Sequence, residues 1–378
     1  MATLVSDTRS RPVDVVIGIN YYFPHISGLT RTAQAVAEAC VESGLSVKVV
    51  CSRHEESLPT SEIVNGVMIE RVDVVGHVEN GLLSPSLPYR VAKSARQARV
   101  LHLHLPMLEA GLIAMLARRT PRIVSYQCDF TSTSKVLRPI VTSIVDVSSR
   151  VAIRGSERVI VSSLDYARAS RLAPSLSSAT EIFPAVTDRR GGQSRYRVGT
   201  GIHFGFLGRL APEKGLPELI GAFESADLAD AVLLIAGPTP RYTDSSVTRL
   251  VKSASGTNRR IKFLGTLSES ELKDFYASID CFVLPSTNGL EAFGITQAEA
   301  LVCNLPVIAT NLPGARTLQQ RFGNGILVTP GDVGELARAL KQIAGLQPKS
   351  SSPEALLSGT SEYVELIRHL IADTYSRQ

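Results

Sequence analysis

The sequence predicts an α/β protein with two doubly wound, Rossmann-like domains whose strand ends face one cleft. Short β-branched and aliphatic runs recur along the chain, with helical-period segments between them. The runs are apolar almost throughout, which is typical of parallel strands that helices cover on both faces. The length of 378 residues suits two domains at a loose prior of about 150 residues each.

The order of these runs predicts the domain organisation. Seven expected strands lie at 13–22, 45–51, 67–75, 100–105, 122–127, 158–162 and 181–186. The pattern restarts at 202–207, 231–236, 261–264, 281–284, 307–310 and 326–328. We therefore expect one Rossmann-like domain over 1–187, a Gly- and Arg-rich linker over 188–201 and a second Rossmann-like domain over 202–345. Residues 346–378 are expected to form a loop and an amphipathic helix.

Composition argues against several classes of protein. The apolar share of 44% and the charged share of 20% are ordinary for a globular protein. Forty lysines and arginines exceed 35 acidic residues only slightly and are spread along the chain, so we expect no nucleic acid partner. The 5 cysteines are odd in number and far apart, which favours reduced core thiols over disulfides or a zinc site.

No targeting segment is evident in the sequence. No apolar run reaches the roughly 18 residues that span a bilayer. The first twelve residues are polar and lack the apolar region of a signal peptide. We therefore expect a cytoplasmic protein that is neither secreted nor membrane-spanning.

Several common α/β activities lack their motifs. The first expected strand is followed by Gly18-Ile-Asn-Tyr-Tyr-Phe-Pro-His-Ile-Ser-Gly28 rather than by Gly-x-Gly-x-x-Gly. The sequence contains neither a Gly-Lys-Ser/Thr phosphate loop nor a Gly-x-Ser-x-Gly elbow. Dehydrogenase, P-loop and α/β-hydrolase activities therefore lose their main support. Functional residues are instead expected in the loops that follow the strands.

The loop after the strand at 202–207 carries two cations close to a helix start. Arg209 and Lys214 precede the apolar segment that begins at Leu216. Cations at a helix N-terminus oppose the helix dipole, so stability alone does not favour them. A bound diphosphate would resolve this conflict. The alternative is an exposed arginine and a lysine that pairs with Glu213 or Glu218.

A second loop, after the strand at 281–284, carries two glutamates around a glycine-opened helix. The backbone amides of Phe293, Gly294 and Ile295 are expected at that helix N-terminus. Glu299 lies inside the apolar helix and needs a partner, which the hydroxyl pair of a ribose could supply. Glu291 precedes the helix and could face sugar hydroxyls and a developing positive charge. The alternatives are a helix N-terminal acid for Glu291 and a structural carboxylate for Glu299.

Together these residues resemble one enzyme family. Arg209, Lys214 and Gly215, followed by Glu291 with seven residues before Glu299, look like the retaining glycosyltransferases of the GT-B fold, family 4 (group 1 type). The resemblance implies transfer of a hexose of the mannose or glucose type from a GDP- or UDP-linked sugar to an acceptor hydroxyl, in glycan, glycolipid or polysaccharide biosynthesis. It also implies that the C-terminal helix crosses back to the first domain, which binds the acceptor.

The resemblance assigns roles to individual residues. It implies that Arg209 and Lys214 hold the donor diphosphate, that Glu299 holds the ribose and that Glu291 holds the donor sugar. The remaining donor-binding positions are expected to be Gly28, Leu264, Leu267, Phe293, Gly294 and Ile295. Ser27 stands where the family often has a glycine beside Gly28.

The expected first domain departs from the family at one position. Gln127 stands where relatives usually carry histidine in a Tyr-His-x-Asp run. Glutamine can donate a hydrogen bond but cannot shuttle a proton. Gln127 is nevertheless expected to be a catalytic position, and Asp129 and His104 are candidates for the acceptor side. Strand histidines such as His104 and His102 have an alternative interpretation as hydrogen-bonded core residues.

Cofactors and partners follow from the same residues. The sequence has no Asp-x-Asp pair to seat a divalent ion, so we expect no metal and no cofactor beyond the nucleotide sugar. The acceptor is expected to be a sugar or a lipid-linked molecule. Lys135, Arg138, Arg150 and Arg154 flank an apolar helical stretch that could rest on anionic lipid, although a solvated helix face is the alternative. A non-catalytic nucleotide-sugar-binding protein, or a GT-B phosphorylase or epimerase, remains the alternative function.

Overall fold

The computed structural model describes residues 13–78, 81–132, 138–239, 246–323, 325–343 and 353–376. Lys135 and most of the expected loop at 347–353 lie outside the described residues. The chain forms two compact units. The first unit consists of Met1–Val161, Leu172–Ile182 and Thr360–Gln378, and the second consists of Ser162–Arg171 and Phe183–Gly359. The expected domain boundaries remain predictions, and the units differ from them in giving residues 162–171 and 183–187 to the second unit.

The first unit contains ten strands and five helices among its described residues. Its strands are β1 Val13–Gly18, β2 Val47–Ser52, β3 Ser61–Val64, β4 Val67–Val72, β5 Gly76–Val78, β6 Gly81–Leu83, β7 Ala98–Leu105, β8 Arg122–Tyr126, β9 Arg158–Val161 and β10 Thr180–Glu181. Its α-helices are α1 Gly28–Glu42, α2 Leu87–Ala95, α3 Ala110–Leu116, α4 Arg138–Ile153 and the C-terminal α12 Gly359–Ser376, whose first residue belongs to the second unit.

The second unit contains six strands and seven helices among its described residues. Its α-helices are α5 Leu164–Ala169, α6 Leu216–Ala226, α7 Ser246–Thr257, α8 Glu269–Ser278, α9 Ile295–Val302, α10 Ala315–Phe322 and α11 Val333–Ile343. Its strands are β11 His203–Leu207, β12 Val232–Ala236, β13 Ile261–Gly265, β14 Cys281–Leu284, β15 Val307–Thr310 and β16 Gly325–Val328. Short 3₁₀ turns lie at Ala173–Leu176 in the first unit and at Pro212–Lys214 and Glu354–Leu357 in the second.

Each unit is built on a parallel sheet whose strand order reverses next to its first strand. The sheet of the first unit has the order β10-β9-β8-β7-β1-β2-β4-β3, and only its edge pair β3–β4 is antiparallel. The sheet of the second unit has the order β13-β12-β11-β14-β15-β16 and is wholly parallel. The predicted α/β class with two Rossmann-like parallel sheets is confirmed. The antiparallel strands β3, β5 and β6 are additions that the sequence analysis did not include.

Helix α12 packs on the sheet of the first unit. Its apolar side chains Tyr363, Val364, Ile367, Leu370 and Ile371 are buried in the core cluster that also holds the inner residues of β1, β2 and β7. The predicted amphipathic helix at the C-terminus therefore covers a face of the first sheet. None of the helices in the described part of the chain has both the length and the apolarity that crossing a bilayer requires.

The segment 188–201 is held against the second unit rather than free of it. Gln193 N donates to Asp274 Oδ1 at 2.8 Å, and Arg197 pairs with Asp280 at 2.9 Å. A Cβ at Gly192 would come within 2.1 Å of the Lys273 carbonyl oxygen, so the backbone passes α8 at close contact. The arginines that suggested a linker therefore form ion pairs with this unit.

Candidate functional site

The candidate site lies where the strand order of the second sheet reverses. Strands β11 and β14 are neighbours at its centre, and the chain leaves them toward opposite edges of the sheet. The loops that follow such a strand pair diverge and leave a crevice at the carboxyl edge, where ligands of open α/β sheets bind. Lys214 lies in the loop after β11, and Glu291 lies in the loop after β14.

Lys214 and Glu291 form an ion pair across this crevice. Lys214 Nζ lies 2.5 Å from Glu291 Oε2, and the side chains are 21% and 12% exposed. Ser286 Oγ donates to the same Glu291 oxygen at 3.1 Å. The amide of Thr287 donates to the Glu213 carbonyl at 3.0 Å. Two sequence-predicted residues that are 77 positions apart are therefore brought together.

Gly215 permits this close approach of the two loops. Its φ of +68° lies in the left-handed region, and a Cβ would come within 1.9 Å of the Pro285 carbonyl oxygen. Only glycine meets both conditions at little cost. Gly215 is also the N-cap of α6, so Lys214 lies directly before that helix N-terminus, as the sequence predicted.

Arg209 does not point toward Glu291 in this structure. Its guanidinium pairs with Glu213 at 3.0 Å, and the side chain is 55% exposed. The sequence analysis left open an exposed arginine at this position, but it considered Glu213 as a partner of Lys214 rather than of Arg209. An exposed pair of this kind contributes little to stability, so the side chain can exchange Glu213 for another anion at small cost.

The second predicted helix N-terminus is present at α9. Gly294 is its N-cap with a φ of +82°, and Ile295 is the first helical residue. The first amides of a helix have no intrahelical acceptor, so this end carries partial positive charge beside Glu291. Phe293 is buried and contacts Phe183, with ring centroids 5.4 Å apart.

Glu299 is buried and already has partners within the protein. Its Oε1 accepts a hydrogen bond from Arg189 Nε at 3.0 Å, and its Oε2 accepts one from the Tyr276 hydroxyl at 2.9 Å. Both side chains of the Arg189–Glu299 pair are 1% exposed. Burial and the negative charge of Glu299 raise the pKa of Tyr276 well above its usual value, which keeps the phenol as a donor.

Arg189 is a buried charged residue beside Glu299 that sequence reasoning missed. It also pairs with Glu269, while its Nη2 is buried without a hydrogen-bond partner among the described residues. Burial acts to lower the pKa of Arg189, but Glu299 and Glu269 raise it above the usual value. The only signal was an arginine within a segment interpreted as a linker.

Leu264 and Leu267 lie at one edge of the sheet, two strands away from β11. Leu264 belongs to the edge strand β13, and Leu267 follows it. Both are partly buried against the core of the second unit. The loop between β13 and α8 ends at Ser268, which caps α8 together with Glu271.

In the first unit, Gly28 opens α1 as predicted, and Ser27 is the N-cap. Ser27 Oγ accepts from the Thr30 amide at 3.2 Å, while the Ser27 amide donates to Thr30 Oγ1 at 2.8 Å. Ser27 therefore stabilises the helix start in the place where a second glycine was expected.

His104 is a core residue in this structure, which corrects its choice as an acceptor-side candidate. It is 1% exposed, and burial lowers its pKa to about 3. Its ring lies 4.3 Å from that of His102, whose Nε2 is 2.7 Å from Ser125 Oγ. The inward direction follows from strand alternation, because His102, His104 and the core residue Val100 share one face of β7.

Gln127 and Asp129 lie just beyond β8 and are partly exposed. The Gln127 amide donates to the Leu105 carbonyl at 3.0 Å, which places it at the carboxyl end of β7. The Tyr126 hydroxyl donates to Asp129 Oδ1. Gln127 and Asp129 therefore lie at the carboxyl edge of the first sheet, the edge at which open α/β sheets bind ligands. Among the described residues, no group of three His, Cys, Asp or Glu side chains is placed to hold a metal ion.

The Arg189–Glu299 pair generates a stability prediction. Arg189→Met leaves the Glu299 carboxylate buried without its counter-ion, so we expect a loss of about 3–5 kcal/mol in the free energy of unfolding. Arg189→Met combined with Glu299→Gln should recover part of that loss, because no buried charge remains uncompensated. Chemical denaturation measures both, with the exposed Arg338→Met as control. Equal destabilisation by the control, or no recovery in the double variant, would contradict the pairing.

Comparison with known proteins places the chain in a family. Residues 196–354 match the family model "Glycosyl transferases group 1", and residues 27–175 match "Glycosyl transferase 4-like domain". The chain is 26% identical over 262 residues to 2-deoxystreptamine glucosyltransferase of Streptomyces kanamyceticus, a match that covers 62% of this chain and 64% of that relative. This chain therefore spans slightly less than two thirds of that relative's length.

A relative and a solved structure match over most of the chain. Phosphatidyl-myo-inositol mannosyltransferase of Mycobacterium leprae is 28% identical over 333 residues, covering 85% of this chain and 84% of the relative. The structure of Anabaena HepE in complex with UDP and glucose superposes with a TM-score of 0.68 at 20% identity, covering 97% of this chain and all of that one (100%). The two family models lie one in each half of the sequence, and the fold agrees. The chain belongs to the GT-B glycosyltransferases of family 4, group 1 type.

Proposed function

We propose that the protein transfers a hexose from a nucleotide diphosphate sugar to an acceptor hydroxyl with retention of anomeric configuration. The observation that carries the proposal is the Lys214–Glu291 pair at the reversal point of the second sheet, between the N-termini of α6 and α9. A cation and two helix ends there suit a diphosphate, and a carboxylate beside them suits the attached sugar.

In this proposal the donor replaces an interaction that exists in the free protein. Lys214 leaves Glu291 for the diphosphate, and Arg209 leaves Glu213 for the same group. Glu291 is then free to accept hydrogen bonds from the sugar and to stabilise positive charge that develops at the anomeric carbon. The departing diphosphate keeps its negative charge beside Lys214 and the helix ends, so its departure is stabilised without a metal. A leaving phosphate oxygen accepts the proton of the incoming hydroxyl on the same face.

The Glu299 site is proposed to hold the ribose. A vicinal diol can donate hydrogen bonds to the carboxylate of Glu299, because an ionised carboxylate accepts hydrogen bonds through both oxygens. The same diol can accept a hydrogen bond from Arg189 Nη2, the buried donor without a partner among the described residues. We therefore add Arg189 to the donor-binding residues. Gly28, Leu264, Leu267, Phe293, Gly294, Ile295, Gln127 and Asp129 keep the roles proposed from the sequence.

Known relatives suggest the substrate classes. The name of the Mycobacterium leprae relative specifies a phosphatidyl-inositol acceptor and mannose transfer, and the HepE structure contains UDP and glucose. We propose a GDP- or UDP-linked mannose or glucose as donor and a sugar or lipid-linked hydroxyl as acceptor. Calorimetric titration with GDP- and UDP-sugars identifies the donor.

A non-catalytic nucleotide-sugar-binding protein is the second candidate, and Gln127 is the observation that favours it. Glutamine cannot exchange a proton with a substrate. Release of nucleoside diphosphate from the donor separates the candidates: a transferase requires an acceptor for fast release, a phosphorylase or epimerase produces a different product, and a binding protein releases none.

The diphosphate clamp yields the first functional prediction. Lys214→Ala and Arg209→Ala should each weaken nucleoside diphosphate binding by about 1.5–3 kcal/mol, which is the range for charged hydrogen bonds. The exposed Lys341→Ala serves as the matched control and should leave affinity unchanged. Calorimetry with GDP and UDP measures all three. Unchanged affinity in both clamp variants would remove the diphosphate from this loop.

Substitution of the two glutamates should impair different properties of the enzyme. Glu291→Gln should increase nucleoside diphosphate affinity, because Lys214 no longer has to leave a carboxylate, but should lower the turnover rate by about 100-fold or more. Glu299→Gln should instead weaken nucleoside diphosphate binding, since it lowers the charge that faces the ribose. The two variants are compared by initial rates and by titration with the nucleoside diphosphate product, with equal concentrations of folded protein. If Glu291→Gln loses product affinity as severely as Glu299→Gln, the assigned roles are wrong.

Metal independence is the third functional prediction. Transfer activity should survive an excess of chelator, because the proposed charge stabilisation uses Lys214, Arg209 and helix ends. The assay compares rates with and without chelator and after addition of magnesium or manganese. Loss of activity with chelator and recovery with either metal would overturn this part of the proposal.

A further inference from the structure

Two neighbouring helices of the first unit expose an apolar surface. On α3 and the turn before it, Leu108, Leu112 and Met115 are 41%, 37% and 58% exposed. On α4, Ile140, Ile144 and Val147 are 60%, 52% and 54% exposed. In both helices the spacing of three or four residues places these side chains on one face. We call these six side chains the α3–α4 apolar patch.

The two stripes adjoin because the helices touch. The Gly111 amide donates to Ser148 Oγ at 2.8 Å, and a Cβ at Gly111 would lie 3.0 Å from the Ser148 carbonyl oxygen. Gly111 precedes Leu112, and Ser148 follows Val147. The helices thus meet beside Leu112 and Val147, so the exposed stripes of the two helices adjoin at this point.

Four exposed arginines lie at one end of this surface. Both helices follow strands of a parallel sheet, so they run in the same direction. The buried guanidinium of Arg122 joins their C-terminal ends by donating to the carbonyls of Ala114 at 3.4 Å, Ala152 at 3.0 Å and Arg154 at 3.1 Å. The exposed arginines at these ends are Arg118, Arg119, Arg150 and Arg154.

Residues 107–119 and 138–154 contain no exposed acid, and the exposed Glu157 follows Arg154 by three residues. The acids of these two ranges are Glu109 and Asp146, and both are buried. Arginines at helix C-termini interact favourably with the helix dipole, which could explain their position on an otherwise solvated face. It does not explain six large aliphatic side chains where such a face normally carries polar residues.

We propose that the α3–α4 apolar patch rests on an anionic lipid surface. The aliphatic side chains would enter the boundary between headgroups and acyl chains, while the arginines contact lipid phosphates. A second copy of the chain fits less well, because a two-fold contact would bring the same patch, which has no exposed acid, against the arginines. The proposal does not depend on sugar transfer, although it would bring the first unit to the surface where a lipid-linked acceptor resides.

Flotation of the full chain with vesicles tests the proposal without any substrate. We expect binding to vesicles of phosphatidylcholine mixed with phosphatidylglycerol, weaker binding to phosphatidylcholine alone, and release at high salt. Arg150→Gln with Arg154→Gln should lower the vesicle affinity by about fivefold for each charge removed. Ile140→Ser with Ile144→Ser and Val147→Ser should lower it by about tenfold or more.

Matched controls come from exposed residues elsewhere in the chain. Ile63→Ser removes an aliphatic side chain that is 71% exposed, and Arg338→Gln removes an exposed arginine of the second unit. Both should bind vesicles as the unmodified chain does. Absence of binding to anionic vesicles at low salt, or equal losses in patch and control variants, would overturn the proposal. So would a concentration-dependent dimer that the Ile144→Ser variant abolishes, because the patch would then be covered by a second copy.

Discussion

The ion pair between Lys214 and Glu291 is the interaction on which the functional account depends. It exists because β11 and β14 are neighbours at the point where the strand order reverses, and because Gly215 lets the two following loops touch. The pair has a structural consequence, since it joins two loops at the mouth of the crevice. In the proposed function the pair also has a chemical consequence, because the donor diphosphate would take Lys214 from Glu291 and leave Glu291 to the donor sugar.

A second ion pair, which is fully buried, lies in the same unit. Arg189 and Glu299 lie 1% exposed, with Tyr276 donating to the carboxylate. A buried ion pair is costly to break and rarely stabilises more than apolar side chains of similar size. The presence of this buried pair is therefore better explained by a need for polar groups at this place. Binding of a ribose, as proposed, would create that need. The pair also ties the segment 188–201 to α9, so this segment contributes to the proposed donor site.

The sequence predicted the central strands of both sheets, because central parallel strands are apolar on both faces, but at the edges of the first sheet it missed β3 and met β10 only at Glu181. The resemblance to the family assigned the residues after β11 and β14 to one donor site, and the structure shows that these two strands are neighbours. The sequence could not predict that Lys214 would pair with Glu291 rather than Glu213 or Glu218, because that choice depends on loop geometry. Arg189 was missed because it lies in a Gly- and Arg-rich segment whose composition is typical of a linker. Only the packing of this segment against α8 and α9 shows that the Arg189 side chain is buried. His104 was misjudged because alternation places it on a face but does not say that a helix from the far end of the chain covers that face.

A double-mutant cycle on nucleoside diphosphate affinity tests the central claim most directly. Calorimetry would compare the unmodified chain, Lys214→Met, Glu291→Gln and the combined variant, each confirmed to be folded. If the diphosphate competes with Glu291 for Lys214, Glu291→Gln should raise affinity when Lys214 is present and leave it unchanged in the Lys214→Met background. The same change in both backgrounds would contradict the account, because Glu291 would then act on the nucleotide independently of Lys214.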